Sequence, residues 1–235
     1  SIDLSGAALR NVLLGFGWTT TAARNGGRDI VFYLDNIQFD LPRPRDPHFV
    51  LSYETTGTTN MFDLVMRNVS FVYDNALALL AFLAAEDLPR ARLIADAMVY
   101  AQNHDRYFTD GRLRNAYQAG DLTLPPGWQP HGKTGTVRIP GWYDHERGKW
   151  LEDAMQVGTH AGNMAWAILA LLAFHEKAGG EQYLAAAERL GEWVEQHCRD
   201  ERGAGGYTGG YDGWEPGQTR LLYKSTEHNI DLFVA

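Results

Sequence analysis

The sequence predicts a mainly α-helical protein in which helical hairpins repeat along the chain after a short N-terminal β segment. An apolar segment followed by an amphipathic one occurs at residues 70–105 and again at residues 158–200. A third copy begins at residue 225, and the chain ends within it. Similarity at this long spacing is typical of repeat architectures, whose units bury apolar surface against their neighbours.

Residues 1–41 are predicted to form a β segment. The runs at 12–18 and 30–39 are rich in residues that favour strands, and Asn25-Gly26-Gly27 between them is a typical hairpin turn. Two or three strands cannot cover their own apolar face, so this segment either ends a preceding domain or packs on the helices. Residues 42–69 start within the proline-rich sequence LPRPRDP and are predicted to be a linker and lead-in.

Each predicted hairpin in residues 70–235 pairs an inner helix with an outer helix. Residues 76–83 are apolar on every side of a helix, which predicts a buried helix, and residues 88–104 are amphipathic. Residues 164–174 and 183–198 repeat this order. A helix pair of this kind needs a neighbouring pair to cover its inner helix, and such pairs stack side by side around an axis. The sequence therefore predicts an α/α toroid or solenoid, incomplete as given.

The starts of the inner helices carry candidate catalytic and binding residues. Inner helices of a toroid run in the same direction, so their N-termini meet at one mouth. Asp74, Asn163 and Glu227 lie at the three starts, with His160 and His228 beside them. A carboxylate in the first turn is stabilised by the helix dipole, so a purely capping role is the alternative for these positions.

Glu152 and Asp153 are two further candidate catalytic carboxylates, close to the second of these starts. Glycoside hydrolysis needs two carboxyl groups across a cleft, and a solvated charge at a helix end is the alternative for either residue. The long connection at 106–157 and the loop at 202–224 contain aromatic residues suited to stacking on sugars. The candidates for substrate binding there are Trp142, Tyr143, Trp150, Tyr211 and Trp214.

The composition restricts the partners. A formal net charge of −8 argues against nucleic acid and anionic membrane surfaces. The single cysteine, Cys198, excludes an internal disulfide, and without metal-ligand spacings of His or Cys the sequence predicts neither a metal nor a cofactor. No uncharged apolar run is long enough to predict a membrane span. The compartment is not fixed by these features, and an extracytoplasmic or secreted location is favoured.

The residues YDNALALLAFL at 73–83 resemble an inner helix of the six-hairpin (α/α)6 glycosidase-type superfamily. GTHAGNMAWAILAL at 158–171 and STEHNIDLFVA at 225–235 are similar to later inner helices of that toroid. The resemblance covers roughly residues 50–235 and implies a glycoside hydrolase acting on a poly- or oligosaccharide, with Asp74, Glu152 and Glu227 placed as general acid or base. FYLDNIQF at 32–39 resembles the closing strand of a carbohydrate-binding-type β-sandwich.

The length and the chemistry leave alternatives open. Six hairpins need more than 235 residues, so the chain is expected to be a fragment or to associate with another chain to complete its ring. A polysaccharide lyase on the same toroid is the second functional hypothesis, with His160, Asn163, Tyr143 and Arg138 as its candidate residues. A non-catalytic glycan-binding module is the third.

Overall fold

A computed structural model of the protein describes residues 46–57, 60–123 and 134–235. Contacts divide the chain into two compact units, Ser1–Pro44 and Arg45–Ala235, and the description below concerns the second. The predicted β segment at 1–41 and the resemblance of residues 32–39 to a sandwich strand lie outside the described residues.

The described residues are rich in helix, which confirms the prediction of a mainly α-helical fold, and they also contain short strands that were not predicted. The helices within these ranges are α1 (Met61–Met66), α2 (Val72–Ala84), α3 (Leu88–Asn103), α4 (Ala161–Ala178), α5 (Glu181–Cys198) and α6 (Thr226–Val234). None of them is long and apolar enough to cross a membrane.

The strands in the described ranges contain only two or three residues each. They are β1 (His48–Phe49), β2 (Val69–Phe71), β3 (Ala116–Gln118), β4 (Gly120–Asp121), β5 (Trp142–Asp144), β6 (Lys149–Leu151), β7 (Thr159–His160), β8 (Gly210–Asp212) and β9 (Thr219–Leu221). All pairs are antiparallel: β1 with β4, β2 with β3, β5 with β6, and β7 with β8, which also pairs with β9.

Two helical hairpins form the body of this unit. Three residues join α2 to α3, and Gly179-Gly180, both with positive φ, join α4 to α5. Connections this short make each pair antiparallel. Because the connections at 104–160 and 199–225 are long, they return the chain to the other end, where α2, α4 and α6 all begin. The strands lie in or beside these long connections, and the pairs β2–β3 and β7–β8 lie directly before the starts of α2 and α4.

Helix α4 lies at the centre of the packing and contacts α2, α3, α5 and α6. Its side chains Met164, Leu171 and Phe174 are fully buried, and Phe174 meets the ring of Tyr183 in α5 edge-to-face at 4.7 Å. Four neighbouring helices explain why an apolar sequence surrounds α4 on nearly all sides.

Helix α2 corrects one expectation. It was predicted to be buried on every side, but Leu77 is 38% exposed and Ala81 is also exposed. The reason is its number of neighbours, since α3 and α4 are the helices in the described ranges that cover it extensively. Helix α6 contains no buried residue for the same reason, because it packs mainly on α4.

Candidate functional site

The starts of α2 and α4 are joined by one buried residue, Asn115. Its backbone oxygen accepts a hydrogen bond from the backbone N–H of Val72, at the start of α2. Its Oδ1 accepts two more at 2.7 Å, from the backbone N–H of His160 and from Nδ2 of Asn163. Its own Nδ2 donates to the carbonyl of Met155. Asn115 therefore satisfies N–H groups at two helix starts, both of which lack a side-chain cap of their own.

A series of side-chain contacts links α2, α4 and α6, the three helices that were predicted to be inner helices. The ring of Tyr73 in α2 meets the indole of Trp166 in α4 edge-to-face, with centroids 5.4 Å apart. Nε1 of Trp166 donates a hydrogen bond to Oδ2 of Asp231 in α6 at 3.1 Å. The first two turns of α2, α4 and α6 are therefore neighbours. We call this surface the inner-helix mouth; its residues are Tyr73, Asp74, His160, Asn163, Trp166, Asp212, Glu227, His228 and Asp231.

Two carboxylates of the inner-helix mouth have no partner in the described part of the chain. Asp74 is partly exposed in the first turn of α2, on the stripe that continues through Leu77 and Ala81. Glu227 is exposed in the first turn of α6, four residues before Asp231. Neither carboxylate makes an ion pair or a hydrogen bond to a described residue, so both are accessible to a ligand.

Two histidines lie at the starts of α4 and α6. Nε2 of His160 is 2.7 Å from Oδ1 of Asp212, and their side chains are 17% and 35% exposed. The ring of His228 lies on Gly162, where an added Cβ would sit 2.7 Å from Nε2. Burial, reinforced by the nearby His160, lowers the pKa of His228, so this imidazole favours its neutral form. Nδ1 of His228 is buried without a hydrogen-bond partner among the described residues.

Glu152 and Asp153, predicted as catalytic carboxylates, have other roles in the structure. Glu152 is buried, and its two oxygens accept hydrogen bonds from Nη1 and Nη2 of Arg106 at 2.6 and 2.7 Å. Oδ1 of Asp153 accepts from the backbone N–H groups of Met155 and Gln156, closing a tight turn. No described contact joins either residue to the residues of the inner-helix mouth.

Three predicted aromatic residues lie on the hairpin of β5 and β6. Tyr143 is opposite Trp150 in the register, and Tyr143 is 43% exposed whereas Trp142 and Trp150 are partly buried. Asn68 anchors this hairpin through bonds to the backbone O and N of Gly141. The described contacts join the hairpin to Asn68 and not to the inner-helix mouth.

The two other predicted aromatic residues lie close to the mouth but face differently. Tyr211 packs against the end of α5, with its ring centroid 6.1 Å from that of Trp193, because it points away from its strand neighbour Asp212. Trp214 is 51% exposed, and its Nε1 donates to the backbone oxygen of Glu152 at 3.2 Å. The structure therefore makes Tyr211 a packing residue and leaves the ring of Trp214 accessible.

Four residues of the mouth were not predicted from the sequence: Tyr73, Trp166, Asp212 and Asp231. Asn115, which joins the starts of α2 and α4, was not predicted either. Two signals were available in the sequence. Trp166 lies three residues after Asn163, and Asp231 lies four residues after Glu227, so helical spacing places each near the face of a predicted residue. Asn115 gave no such signal, because it lies in a loop and its partners are at least 40 residues away in sequence.

Comparisons with known proteins leave the site to be interpreted from its geometry. No protein-family model, curated protein or solved structure shows a significant match to the chain. The class that the fold and the site define is thus a helix-rich domain with an open polar and aromatic surface at the joined starts of its inner helices.

Proposed function

We propose that the protein is a carbohydrate-active enzyme, a glycoside hydrolase that cleaves a poly- or oligosaccharide at the inner-helix mouth. The supporting observation is that two carboxylates without a hydrogen bond or ion pair to a described residue, Asp74 and Glu227, come from segments more than 150 residues apart. Asp74 is next to Tyr73, whose ring meets Trp166, and Glu227 is one helical turn before Asp231, which bonds Trp166. We also propose that the inner order α2–α4–α6, with α3 and α5 outside, is part of an α/α toroid. The packing of α4 against both other inner helices supports this arrangement.

In this proposal the two carboxyl groups divide the work of hydrolysis. One donates a proton to the glycosidic oxygen, which leaves as the hydroxyl of the departing sugar. The other either takes a proton from the attacking water or attacks the anomeric carbon itself, and the separation of the two groups in the complex decides between these routes. The rings of Tyr73 and Trp166 supply apolar faces for the sugar, and Asn163 supplies an amide for its hydroxyl groups.

The first experiment removes each carboxylate in turn. We expect Asp74→Asn and Glu227→Gln each to lower kcat by about 10²–10⁴-fold on a polysaccharide that the wild type cleaves. Glu176→Gln is the matched control, because Glu176 is an exposed carboxylate near the opposite end of α4. Release of reducing ends measures turnover. Full activity in both mouth variants would remove the assignment.

A second substrate separates the roles of acid and base. An aryl glycoside with a good leaving group needs little protonation, so the variant that lost the acid should recover most of its rate on that substrate. The variant that lost the base or nucleophile should stay slow and should recover when azide is added, because azide can attack the anomeric carbon in its place. If both variants respond alike to leaving group and azide, Asp74 and Glu227 do not form an acid–base pair.

A polysaccharide lyase is the second candidate, and the contact between His160 and Asp212 favours it. A carboxylate that orients an imidazole is suited to proton abstraction, and the amide of Asn163 lies close by. Arg138 and Tyr143, the other predicted lyase residues, are not joined to His160 by the described contacts; Arg138 bonds the backbone of Asp121. A product that absorbs in the ultraviolet through a new carbon–carbon double bond would favour the lyase, and new reducing ends without it favour the hydrolase.

A further inference from the structure

Two exposed aromatic rings lie on the long connections near the inner-helix mouth. Trp214 is 51% exposed and Tyr107 is 54% exposed. Trp214 follows Asp212 by two residues, and Asp212 contacts His160 at the mouth. Tyr107 follows Arg106, whose guanidinium bonds Glu215, the residue after Trp214. The two rings therefore belong to segments that one ion pair joins, and we call Tyr107 and Trp214 the aromatic platform.

Fixed contacts hold both rings in position. Nε1 of Trp214 donates to the backbone oxygen of Glu152 at 3.2 Å. The backbone N–H of Tyr107 donates to Oδ1 of Asp105 at 2.8 Å, and the Tyr107 ring meets Phe108 edge-to-face at 5.1 Å. Phe108 is itself covered by the guanidinium of Arg112, 3.8 Å from its ring centre. Rings that are ordered before binding lose little conformational entropy when a ligand arrives.

A buried ion network supports the platform from below. Arg106 bonds both oxygens of Glu152 and also bonds Glu215. Arg114, whose side chain is fully buried, bonds Asp105 at 2.6 Å and Glu215 at 3.1 Å. Exposed rings next to residues that are bonded in this way are better preorganised for a ligand than rings on a flexible loop.

The charges of this network indicate which ligand suits the platform. Its two guanidinium groups, Arg106 and Arg114, are each bonded to two carboxylates, and the carboxylates of the network outnumber them by one: Asp105, Glu152 and Glu215. No guanidinium of the network is left to pair with an anionic ligand. A ligand without charge, with an apolar face for the rings and hydroxyl groups for the rim, fits this surface best.

We propose that the aromatic platform is an accessory subsite for a neutral polysaccharide chain that extends from the inner-helix mouth. This inference rests on the proposed function, because the polysaccharide bound by the platform is the one that is cleaved at the inner-helix mouth. It narrows the substrate class to uncharged glycans. The subsite binds sugar units that are not themselves cleaved, so it raises affinity for long substrates and leaves the chemical step unchanged.

Binding, measured without turnover, tests the platform. The probes are neutral xylan, mixed-linkage glucan and amylose, with alginate and polygalacturonate as anionic probes, in affinity electrophoresis. We expect Trp214→Ala and Tyr107→Ala to raise Kd for the bound neutral polymer by at least about fivefold. The matched control is Phe62→Ala, because Phe62 is an equally exposed aromatic residue on α1. Unchanged thermal unfolding of each variant shows that it folds.

Each outcome decides one point. The inference would be overturned if both platform variants kept their affinity, or if the Phe62 variant lost as much affinity as they do. It would also be overturned if the wild type bound only the anionic probes or bound no neutral probe. Failure of the proposed function gives a different result. If Asp74→Asn and Glu227→Gln keep full turnover while the platform variants lose affinity, the catalytic assignment falls and the subsite remains.

Discussion

Glu215 is a buried carboxylate that stays charged because two arginines surround it. Burial alone would raise its pKa, but the hydrogen bond from Arg106 and the charge of Arg114 outweigh burial and lower the pKa to about 2. A carboxyl group whose pKa is lower in the folded state stabilises the fold above its unfolded value, here 4.5. That contribution is lost as the pH falls from 4.5 towards 2.

We therefore expect Glu215→Gln to lower the free energy of unfolding at neutral pH by about 1–3 kcal/mol, since Arg106 and Arg114 each lose one of their two carboxylate partners. The difference from the wild type should narrow as the pH falls below 4.5, because Glu215 of the unfolded wild type then binds a proton, whereas folded Glu215 stays charged until about pH 2. Urea unfolding of both proteins at several pH values measures this difference in the free energy of unfolding. The control is Glu195→Gln in an exposed pair with Arg199, where little change is expected. A pH-independent difference would show that the charge of Glu215 is not what matters.

Contact between α4 and α6 depends on a glycine at the mouth. The ring of His228 lies where the side chain of residue 162 would be, and a Cβ there would be 2.9 Å from Cγ of His228. We expect Gly162→Ala to displace the start of α6 and to lower turnover at the mouth, although alanine favours the helix intrinsically. Gly191→Ala in α5 is a matched control, because an added Cβ at Gly191 meets nothing within 4 Å.

The two substitutions should have opposite effects on stability. Gly191→Ala is expected to raise the free energy of unfolding by about 0.5–1 kcal/mol, since it reduces the backbone freedom of the unfolded chain. Gly162→Ala should lower it by about 1–3 kcal/mol through overpacking. Thermal unfolding and reducing-end release measure both effects. A Gly162→Ala protein as active and stable as the wild type would show that the ring of His228 can move aside without cost.

The helices could be predicted from the sequence because each has a helical period and a clear end. The predicted outer segments 88–104 and 183–198 correspond to α3 (Leu88–Asn103) and α5 (Glu181–Cys198). Asp87 caps α3, and paired glycines precede α5. The prediction that α2 is buried all round was wrong because composition does not reveal how many neighbours a helix has. The ion pair of Glu152 could not be predicted for a related reason: its partner, Arg106, lies 46 residues away in the sequence.

At the scale of the whole unit, stability is expected to be distributed unequally among the inner helices. Helix α4 is enclosed by four helices, and nine of its residues are buried. Helix α6 has nine residues and none of them is buried; Ile230, Phe233 and Val234 are between 58% and 91% exposed. A helix this short is marginal without packing, so α6 is stabilised mainly by its contacts with α4 and the loop around Tyr207.

This asymmetry predicts the pattern of amide hydrogen exchange. Exchange in α4 should require global unfolding, whereas exchange in α6 should occur through local opening at a much lower free energy. Because Glu227 and His228 lie on α6, a glycan bound at the inner-helix mouth has to hold this helix in place, and binding should slow exchange in α6 more than in α3 or α5. Exchange measured by mass spectrometry, with and without a polysaccharide that the protein binds, tests both statements. Equal protection of α4 and α6 in the free protein would contradict the first, and unchanged exchange in α6 on binding would place the ligand away from the mouth.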